Sequence, residues 1–549
     1  SFAATMSGIT EVNPLPPHYV CPKCKHSDFD VDAHSYTCGP DLPSKDCPEC
    51  GTEYSREGFG IPFAVFLGIN ADKVPDIDLN FSGEYQPQAH KFTVDYFGED
   101  YVFRAGTISS IAERTAFGFV KGYMNDKQIV STKAEVERLV EGVSGTKRTT
   151  GQHPGGLVIL PKNRDINEFT PVQRPANDMS SESITTHYNF DSLHDRLVKL
   201  DILGHDDPTA LHMLQELTGI DPKTIPINDP QTISLFSSLN SLDLTSDQIL
   251  GCRVGSLGIP EFGTKFVRQM LLDTMPTTIG ELIRISGLSH GTDVWINNAH
   301  DLIKKGTATL REAICTRDDI MNYLVGKGMD ETESFYIMES VRKGKGLKKE
   351  WQAGMKKAGV PKWFINSCKK IKYMFPKAHA VAYVTMALRI AYFKVHHPLE
   401  FYATYFTVRA DNLDAMYLHS ADTIRKKINE IERAGKEATT LDLSQLTILE
   451  IALEMCERGY SFLPCDLYKS HATKCVIEDN QLRLPFTALG GTGETAAKRI
   501  VEAREQGEFL SVEDLKQRAR ISSAVIEKLN EDGCLKDMRA SNQISLFDL

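Results

Sequence analysis

Two four-residue segments, "CPKC" at 21–24 and "CPEC" at 47–50, have the spacing of metal knuckles. Each turns two thiolates toward one point, and a pair of them completes a tetrahedral four-thiolate zinc site. With Cys21, Cys24, Cys47 and Cys50 as ligands the coordination sphere is closed, so the expected metal is structural and not catalytic. Such a site contributes about 10–16 kcal/mol of apparent binding free energy to folding, enough to shape a short segment that has little core. Cys38, His26 and His34 lie between the knuckles as alternative ligands, and a redox pair is the competing reading.

A second constellation is acidic. In "DKVPDIDLNFSG" (72–83), Asp76 and Asp78 flank Ile77 inside an apolar run. Carboxylates are rarely placed among Val, Ile, Leu and Phe unless something offsets their desolvation. In a strand, residues i and i+2 point the same way, so both carboxylates project together while Ile77 faces the core. Two carboxylates about 4 Å apart repel by roughly 4 kcal/mol at an effective dielectric of about 20. A divalent cation turns that repulsion into coordination, and oxygen-only ligands suit Mg2+ or Mn2+. Asp201 in "RLVKLDILGHD" is another lone carboxylate in an apolar strand. Three strand aspartates from two segments form a recurring arrangement for two-metal phosphoryl transfer. Plainer readings stand beside this one: a D-x-D at a solvated strand end, and Asp201 capping the helix that follows.

Three further motifs carry less chemistry each. "HPGG" at 153–156 permits a tight turn whose amides face a phosphate, or a purely structural turn. "LGGTGETAAK" lacks the Gly-Lys-Ser/Thr of a P-loop and reads better as the hairpin of a helix-hairpin-helix, where helix N-termini offer amides to DNA phosphates. "QISLF" at 543–547 sits in a tail too short to bury itself; it is either a docking peptide for a partner's pocket or a segment that folds back.

These residues need scaffolding, and the chain has length for it. Its 549 residues allow several domains, and 41% hydrophobic with 25% charged residues describes a globular protein. No stretch approaches the roughly 20 apolar residues that span a bilayer. The start, "SFAATMSGITEV", has neither an initiator Met nor an apolar signal core, so an internal start is expected. The net charge of −11 argues against a uniformly basic nucleic-acid binder, but local basic runs exist in "GTKRTTGQH", "VRKGKGLKKEW" and "CKKIKYMFPKAH". Twelve cysteines, eight of them outside the CxxC pairs, suit a reducing compartment better than a disulfide framework. Residues 13–60 read as an insertion. Strands are expected around "IPFAVFLGIN" and "VPDIDLNF", helices from about 105 to 143, and strand-turn-helix across 195–217. Residues 208–440 read as mostly helical, 441–480 as a mixed linker with strand-like patches, and 481–540 as two short helical pairs.

In order along the chain, "EVNPLPPHYVCPKC", "VPDIDLNFSGEYQPQAH", "KRTTGQHPGG", "VKLDILGHDDPT", "LGIPEFGTKFVRQML", "ISGLSHGTDVW", "RKGKGL" and "YMFPKAHAVAY" resemble the C-family bacterial replicative DNA polymerases of the PolC type. The resemblance implies an α+β multidomain fold: a nucleotidyltransferase palm related to polymerase beta, a zinc-binding insertion, a thumb, large helical fingers and a tandem helix-hairpin-helix domain. Mapped on this chain, it implies palm at 1–12, 61–112 and 148–207, the zinc-binding insertion at 13–60, and the thumb at 113–147. Fingers follow at 208–440, fingers or linker at 441–480, the duplex-DNA-binding helix-hairpin-helix domain at 481–540 and a clamp-binding tail at 541–549. Asp76, Asp78 and Asp201 match the family's catalytic metal ligands for two Mg2+ ions. Arg268, Arg317, Lys345, Lys377 and His379 fall in basic segments matching the fingers and are expected to contact dNTP or DNA. Gln543, Leu546 and Phe547 match the family's sliding-clamp motif. The family's exonuclease, PHP and OB-type regions and the palm's Gly-Ser motif have no counterpart in the chain. "LGGTGE" has a glycine where the family often has proline.

The function expected is therefore template-directed DNA synthesis, by two-metal nucleotidyl transfer from dNTP to a primer 3′-OH. The partners implied are primer-template DNA, dNTP, the beta sliding clamp and other replisome subunits, in the bacterial cytoplasm and without a membrane. The alternative is a non-catalytic, clamp-tethered DNA-binding scaffold. That reading keeps the zinc knuckles and the DNA-binding tail but does not need three acidic residues on apolar strands.

Overall fold

A computed structural model describes residues 2–32, 36–70, 77–175, 179–180, 183–193, 196–410 and 412–542, with the side chains of 66, 67 and 191 left aside. The chain divides into two compact units, residues 66–209 and residues 1–65 with 210–549. No helix among the described residues is long and apolar enough to cross a membrane.

The thiol-rich segment is built on short strands β1 (His18–Val20), β2 (Ser27–Asp28) and β3 (Ser55–Glu57), in the order β2-β1-β3. Its core is small: Tyr19, Cys21, Leu42, Cys47 and Tyr54. So few apolar side chains cannot stabilise some forty residues by burial alone. The strand expected over "IPFAVFLGIN" is instead one helical turn, Ala64–Leu67. Pro62 starts it by supplying the carbonyl for Val65 N–H, and a short apolar run does not by itself choose between strand and helix.

Unit 66–209 is organised by a six-stranded sheet. Its strands are β4 (Ile77–Ser82), β5 (Val102–Ser110), β6 (Lys147–Ile159), β7 (Val172–Gln173), β8 (Thr185–Asn189) and β9 (Val198–His205), in the order β4-β9-β6-β5-β8-β7. Strands β4 and β9 run parallel, as do β5 and β8; the other neighbours are antiparallel. One face buries Leu157 and Ile202 against Ala89 of the Gln86–Phe97 helix. The other buries Ala105 and Val158 against Leu193 and Leu197. This two-sided burial explains the apolar runs around the aspartates. Between β5 and β6, helices Glu113–Asp126 and Lys133–Val143 form a hairpin with its own core of Ala116, Val120, Met124, Val136 and Val140.

The larger unit is helical from residue 210 onward, and Thr, Ser or Asp side chains cap the helices at Lys265, Ile279, Glu331, Ala421 and Thr440. The stretch read as a linker proves to be structural core. Thr440–Glu457 is an 18-residue helix begun by a Thr439/Asp442 capping box. Its apolar residues all but encircle it, which marks a helix buried on most faces. Lys394 and Glu454 form a fully buried ion pair at 2.7 Å, and Lys394 also donates to the carbonyls of Gly255 and Leu257. Tyr402 O–H donates to the same carboxylate at 2.7 Å. Strands β10 (Phe462–Leu463), β11 (Val476–Glu478) and β12 (Gln481–Arg483) follow, in the order β10-β12-β11. Helices Glu494–Arg504, Val512–Ala519 and Ser523–Glu531 then share one continuous core with the Thr440–Glu457 helix and with residues as far back as Ala210, Leu257 and Ile390.

Candidate active-site strands and thiolate centre

Parallel pairing of β4 with β9 sets Asp78 opposite Asp201, and antiparallel pairing of β6 with β9 sets Gly156 opposite Asp201. Asp78 is exposed and Asp201 is buried. Lys199, two residues back on the same strand face, reaches Asp201 Oδ2 with its ammonium at 2.9 Å. Asp201 Oδ1 is buried with no hydrogen-bond partner. Burial raises the Asp201 pKa, with the Lys199 charge pulling the other way. Asp76 lies outside the described residues, so two of the three expected carboxylates are seen together.

His153 explains the "HPGG" motif. Its Nδ1 accepts from Gly156 N–H at 2.7 Å and from Gly155 N–H at 3.2 Å. A nitrogen that accepts two amides carries no proton, so the ring is neutral; burial lowers its pKa in the same direction. The 3.7 Å between His153 Nδ1 and Asp201 Oδ1 is therefore a contact without a hydrogen bond. A Cβ on Gly155 would lie 2.6 Å from the Ile202 carbonyl oxygen, and one on Gly156 would lie 2.9 Å from His153 Nδ1. Gly155 thus serves close approach of β6 to β9, and Gly156 makes room for the His153 ring, both within a strand. The expected phosphate-facing turn is corrected: these two amides are occupied by His153. Gln86 Nε2 donates to Ile202 O at 2.7 Å, which ties the Gln86–Phe97 helix to the same strand. Sequence reasoning missed Lys199 and His153; the visible signal was the K-x-D spacing of a cation and an anion on one strand face.

The oxygen set suits a hard divalent cation. Asp201 Oδ1 is a buried acceptor lacking a donor, and Asp78 is its register partner.

In the thiolate centre the four Sγ atoms all lie within 4.8 Å of one another, with Cys21–Cys50 and Cys24–Cys47 each at 3.5 Å. Zinc–sulfur bonds of about 2.3 Å in a tetrahedron put sulfurs about 3.8 Å apart, so the spacing fits. Both knuckles repeat one backbone device. Lys25 N–H bonds Cys21 O and Gly51 N–H bonds Cys47 O, with Lys25 and Gly51 left-handed at φ 64° and 68°. Hydrogen bonding with Thr52, whose Oγ1 accepts from Cys50 Sγ at 3.5 Å, lowers the Cys50 thiol to about 6. The alternative ligands are otherwise engaged: Cys38 Sγ bonds Asp41 Oδ2 at 3.1 Å and His26 Nδ1 bonds Tyr54 Oη at 2.6 Å. His34 lies outside the described residues.

Of the five cations expected in the fingers, three cluster. Arg317 N–H donates to Phe375 O at 3.1 Å, Lys377 N–H donates to Asp318 Oδ2 at 2.8 Å, and the His379 ring meets Phe375 at 4.5 Å and Tyr383 at 4.3 Å. Burial lowers the Lys377 pKa. Lys345 is exposed in a separate loop between Gly344 and Gly346, which are left-handed at φ 69° and 74°. Arg268 is a correction. Its buried guanidinium donates to both oxygens of Glu450 at 3.1 Å and to Cys252 Sγ at 3.2 Å, so it bolts two helices together. The clamp-type residues Gln543, Leu546 and Phe547 lie outside the described residues.

Known proteins match this arrangement in order. Residues 1–128 and 118–204 match the bacterial DNA polymerase III alpha NTPase domain, 207–359 the bacterial DNA polymerase III alpha subunit finger domain, and 459–544 a helix-hairpin-helix motif. The class these matches define is the bacterial DNA polymerase III alpha subunit. Among curated relatives, the PolC-type DNA polymerases III of Bacillus cereus and Oceanobacillus iheyensis are 60% and 59% identical over 549 residues, and that of Bacillus subtilis 58% over 548. The chain is covered completely in each case and spans 38% of each relative's length. The chain belongs to the PolC-type DNA polymerase III family.

Proposed function

We propose that this chain is the polymerase core of a replicative enzyme, extending a primer 3′-OH with dNTPs by nucleotidyl transfer under template direction. The observation that carries the reading is the Asp78–Asp201 register pair with the buried, donorless Oδ1 of Asp201, in a chain 60% identical to a PolC-type polymerase. Asp76, Asp78 and Asp201 are the proposed ligands of two Mg2+ ions, or Mn2+, and these cations supply charge neutralisation and an acidified 3′-hydroxyl. The chain's own side chains do the rest. Asp201 is held rigidly by the β4-β9-β6 register. Lys199 balances its charge, and neutral His153 keeps β6 tight without adding a positive charge. Asp206 and Asp207 start the next helix.

On this reading the unit 66–209 is the catalytic part of a polymerase-beta-like palm, with the hairpin 113–147 as thumb, and 208–440 are fingers. Arg317, Lys345, Lys377 and His379 contact dNTP or DNA, while Arg268 is structural. Cys21, Cys24, Cys47 and Cys50 hold a structural Zn2+. Helix N-termini in 481–540 bind duplex phosphates, and the 541–549 tail with Gln543, Leu546 and Phe547 binds the sliding clamp among other replisome partners in the cytoplasm. A scaffold without catalysis leaves the buried carboxylate unexplained.

Primer extension by the complete polypeptide containing this chain tests it. Asp201→Asn and Asp78→Asn remove an interaction worth several kcal/mol in the transition state, so each should cost on the order of 10³-fold in kcat. Near-native extension by either variant rules out the assignment.

A further inference from the structure

The segment between the two knuckles does not stay within its own small sheet. Its turn Gly39–Asp41 is pinned to β3, where Gly39 N–H donates to Gly58 O at 2.7 Å and a Cβ on Gly39 would lie 2.1 Å from Glu57 O. On its other side, Asp41 caps the helix Ile279–His290. Oδ1 accepts from Ile279 N–H and Oδ2 from Gly280 N–H, both at 2.8 Å. Thr278 Oγ1 takes the next amide, Glu281 N–H, at 3.3 Å. One carboxylate thus satisfies two orphan amides and complements the positive end of the helix. Cys38 Sγ, donating to Asp41 Oδ2, fixes the orientation.

The approach is close enough to require glycine at 280. A Cβ there would lie 2.1 Å from Thr37 Oγ1 and 3.0 Å from Asp41 Oδ2. Thr37 also offers its carbonyl to Lys377 Nζ at 3.5 Å. From the capped helix, Arg284 pairs with Asp319 Oδ1 at 3.1 Å and donates to the carbonyls of Leu310 and Ala313. Asp319 Oδ2 in turn caps the start of the Arg317–Gly326 helix through Cys315 N–H and Thr316 N–H. Arg317 and Lys377 therefore stand at the ends of two relays that begin in the 37–41 turn.

We propose that Asp41 is a positioning residue for the cations of the fingers: by capping Ile279–His290 it holds the 37–41 turn against that helix, and so keeps the Thr37 carbonyl on Lys377 and, through Arg284 and Asp319, the Arg317 helix where the nucleotide is bound. This rests on the reading that Lys377 contacts the incoming dNTP. A cap that merely stabilised the helix would not alter nucleotide affinity in folded enzyme.

The test uses the complete polymerase and steady-state dNTP titration on a primed template, with zinc content and hydrogen exchange of residues 279–281 measured alongside. Asp41→Ala should raise the dNTP KM about tenfold with kcat within about threefold, a split expected when binding and not chemistry is lost. Asp41→Asn, which keeps an acceptor, should recover most of that loss. Gly280→Ala disturbs the same junction from the helix side with Asp41 intact and should give the same KM rise. Faster exchange at 279–281 with native KM in Asp41→Ala or Gly280→Ala overturns the inference. Lys377→Ala separates the two layers. If it raises KM while Asp41→Ala does not, the positioning role alone fails; if neither does, the nucleotide role of Lys377 fails and the inference with it.

Discussion

Four thiols between residues 21 and 50 gather on two copies of one turn, whereas Asp78 and Asp201 meet only because two strands far apart in sequence pair in a particular register. The thiol cluster has the number of donors that closes a tetrahedral site, with four Sγ atoms within 4.8 Å of one another, and Cys38 and His26 beside it are hydrogen-bonded elsewhere. The carboxylate pair is open. It keeps one buried oxygen without a donor and covers the other with a lysine. A centre that only holds a fold can be written into local spacing. On the proposed reading, a centre that exchanges ligands is suspended from a larger framework, here a sheet buried on both faces.

The sharpest way to break this contrast is to remove the thiolate ligands. Cys21→Ser or zinc chelation forfeits up to about 10–16 kcal/mol of apparent binding free energy. Amide protection in β1–β3 should collapse while β4–β9 stay protected; retained protection in β1–β3 would mean that their small core suffices. Next in size, Lys199→Met strips the buried Asp201 of its ion partner. Because both side chains keep some solvent contact, the expected cost without divalent ions is up to about 3 kcal/mol, at the low end for broken buried pairs. Added Mg2+ should then raise Tm more than in the native protein, and an equal Mg2+ response would show that Lys199 and the cation do not compete. Gly155→Ala leaves every ligand in place but drives a methyl group into the Ile202 carbonyl; about 1–3 kcal/mol should be lost in thermal unfolding of the 66–209 sheet. The smallest effect is expected at His153. Its folded-state pKa lies below the ordinary 6.5, so the unfolded chain takes up a proton first and stability falls as pH drops below about 6.5. His153→Gln, with an amide oxygen in place of Nδ1, should flatten that acid limb at a cost of about 0.5–1.5 kcal/mol. An unchanged limb would locate the titration elsewhere.

How much could be read in advance follows the same division. The CxxC pairs were legible because a knuckle is a four-residue geometry. The strands bearing Asp78 and Asp201 were legible from their apolar runs, but not the register that sets them opposite each other, because pairing between distant strands leaves no mark in either one. Arg268 was misread for a related reason. A basic residue on a helix looks alike whether it faces solvent or a carboxylate, and its partner Glu450 lies on a helix whose sequence reads as linker. "TLDLSQLTILEIALEM" hides its helical period because it is apolar on nearly every side. "HPGG" announced glycine's freedom without saying whether a ligand or a neighbouring strand used it.

The continuous core that gathers residues from Ala210 and Leu257 through Ile390 to Leu535 bears on how the molecule can be cut. A truncation after β12 would strip Phe486, Ile500, Leu515 and Leu529 from Leu449, Leu467 and Leu482, leaving an adhesive apolar face on each piece. The same interior reaches back through the Pro398–Val408 helix to Ile390, Phe393, Leu257 and Ala210, so a piece that begins inside it loses part of its packing, and these helices should melt as one.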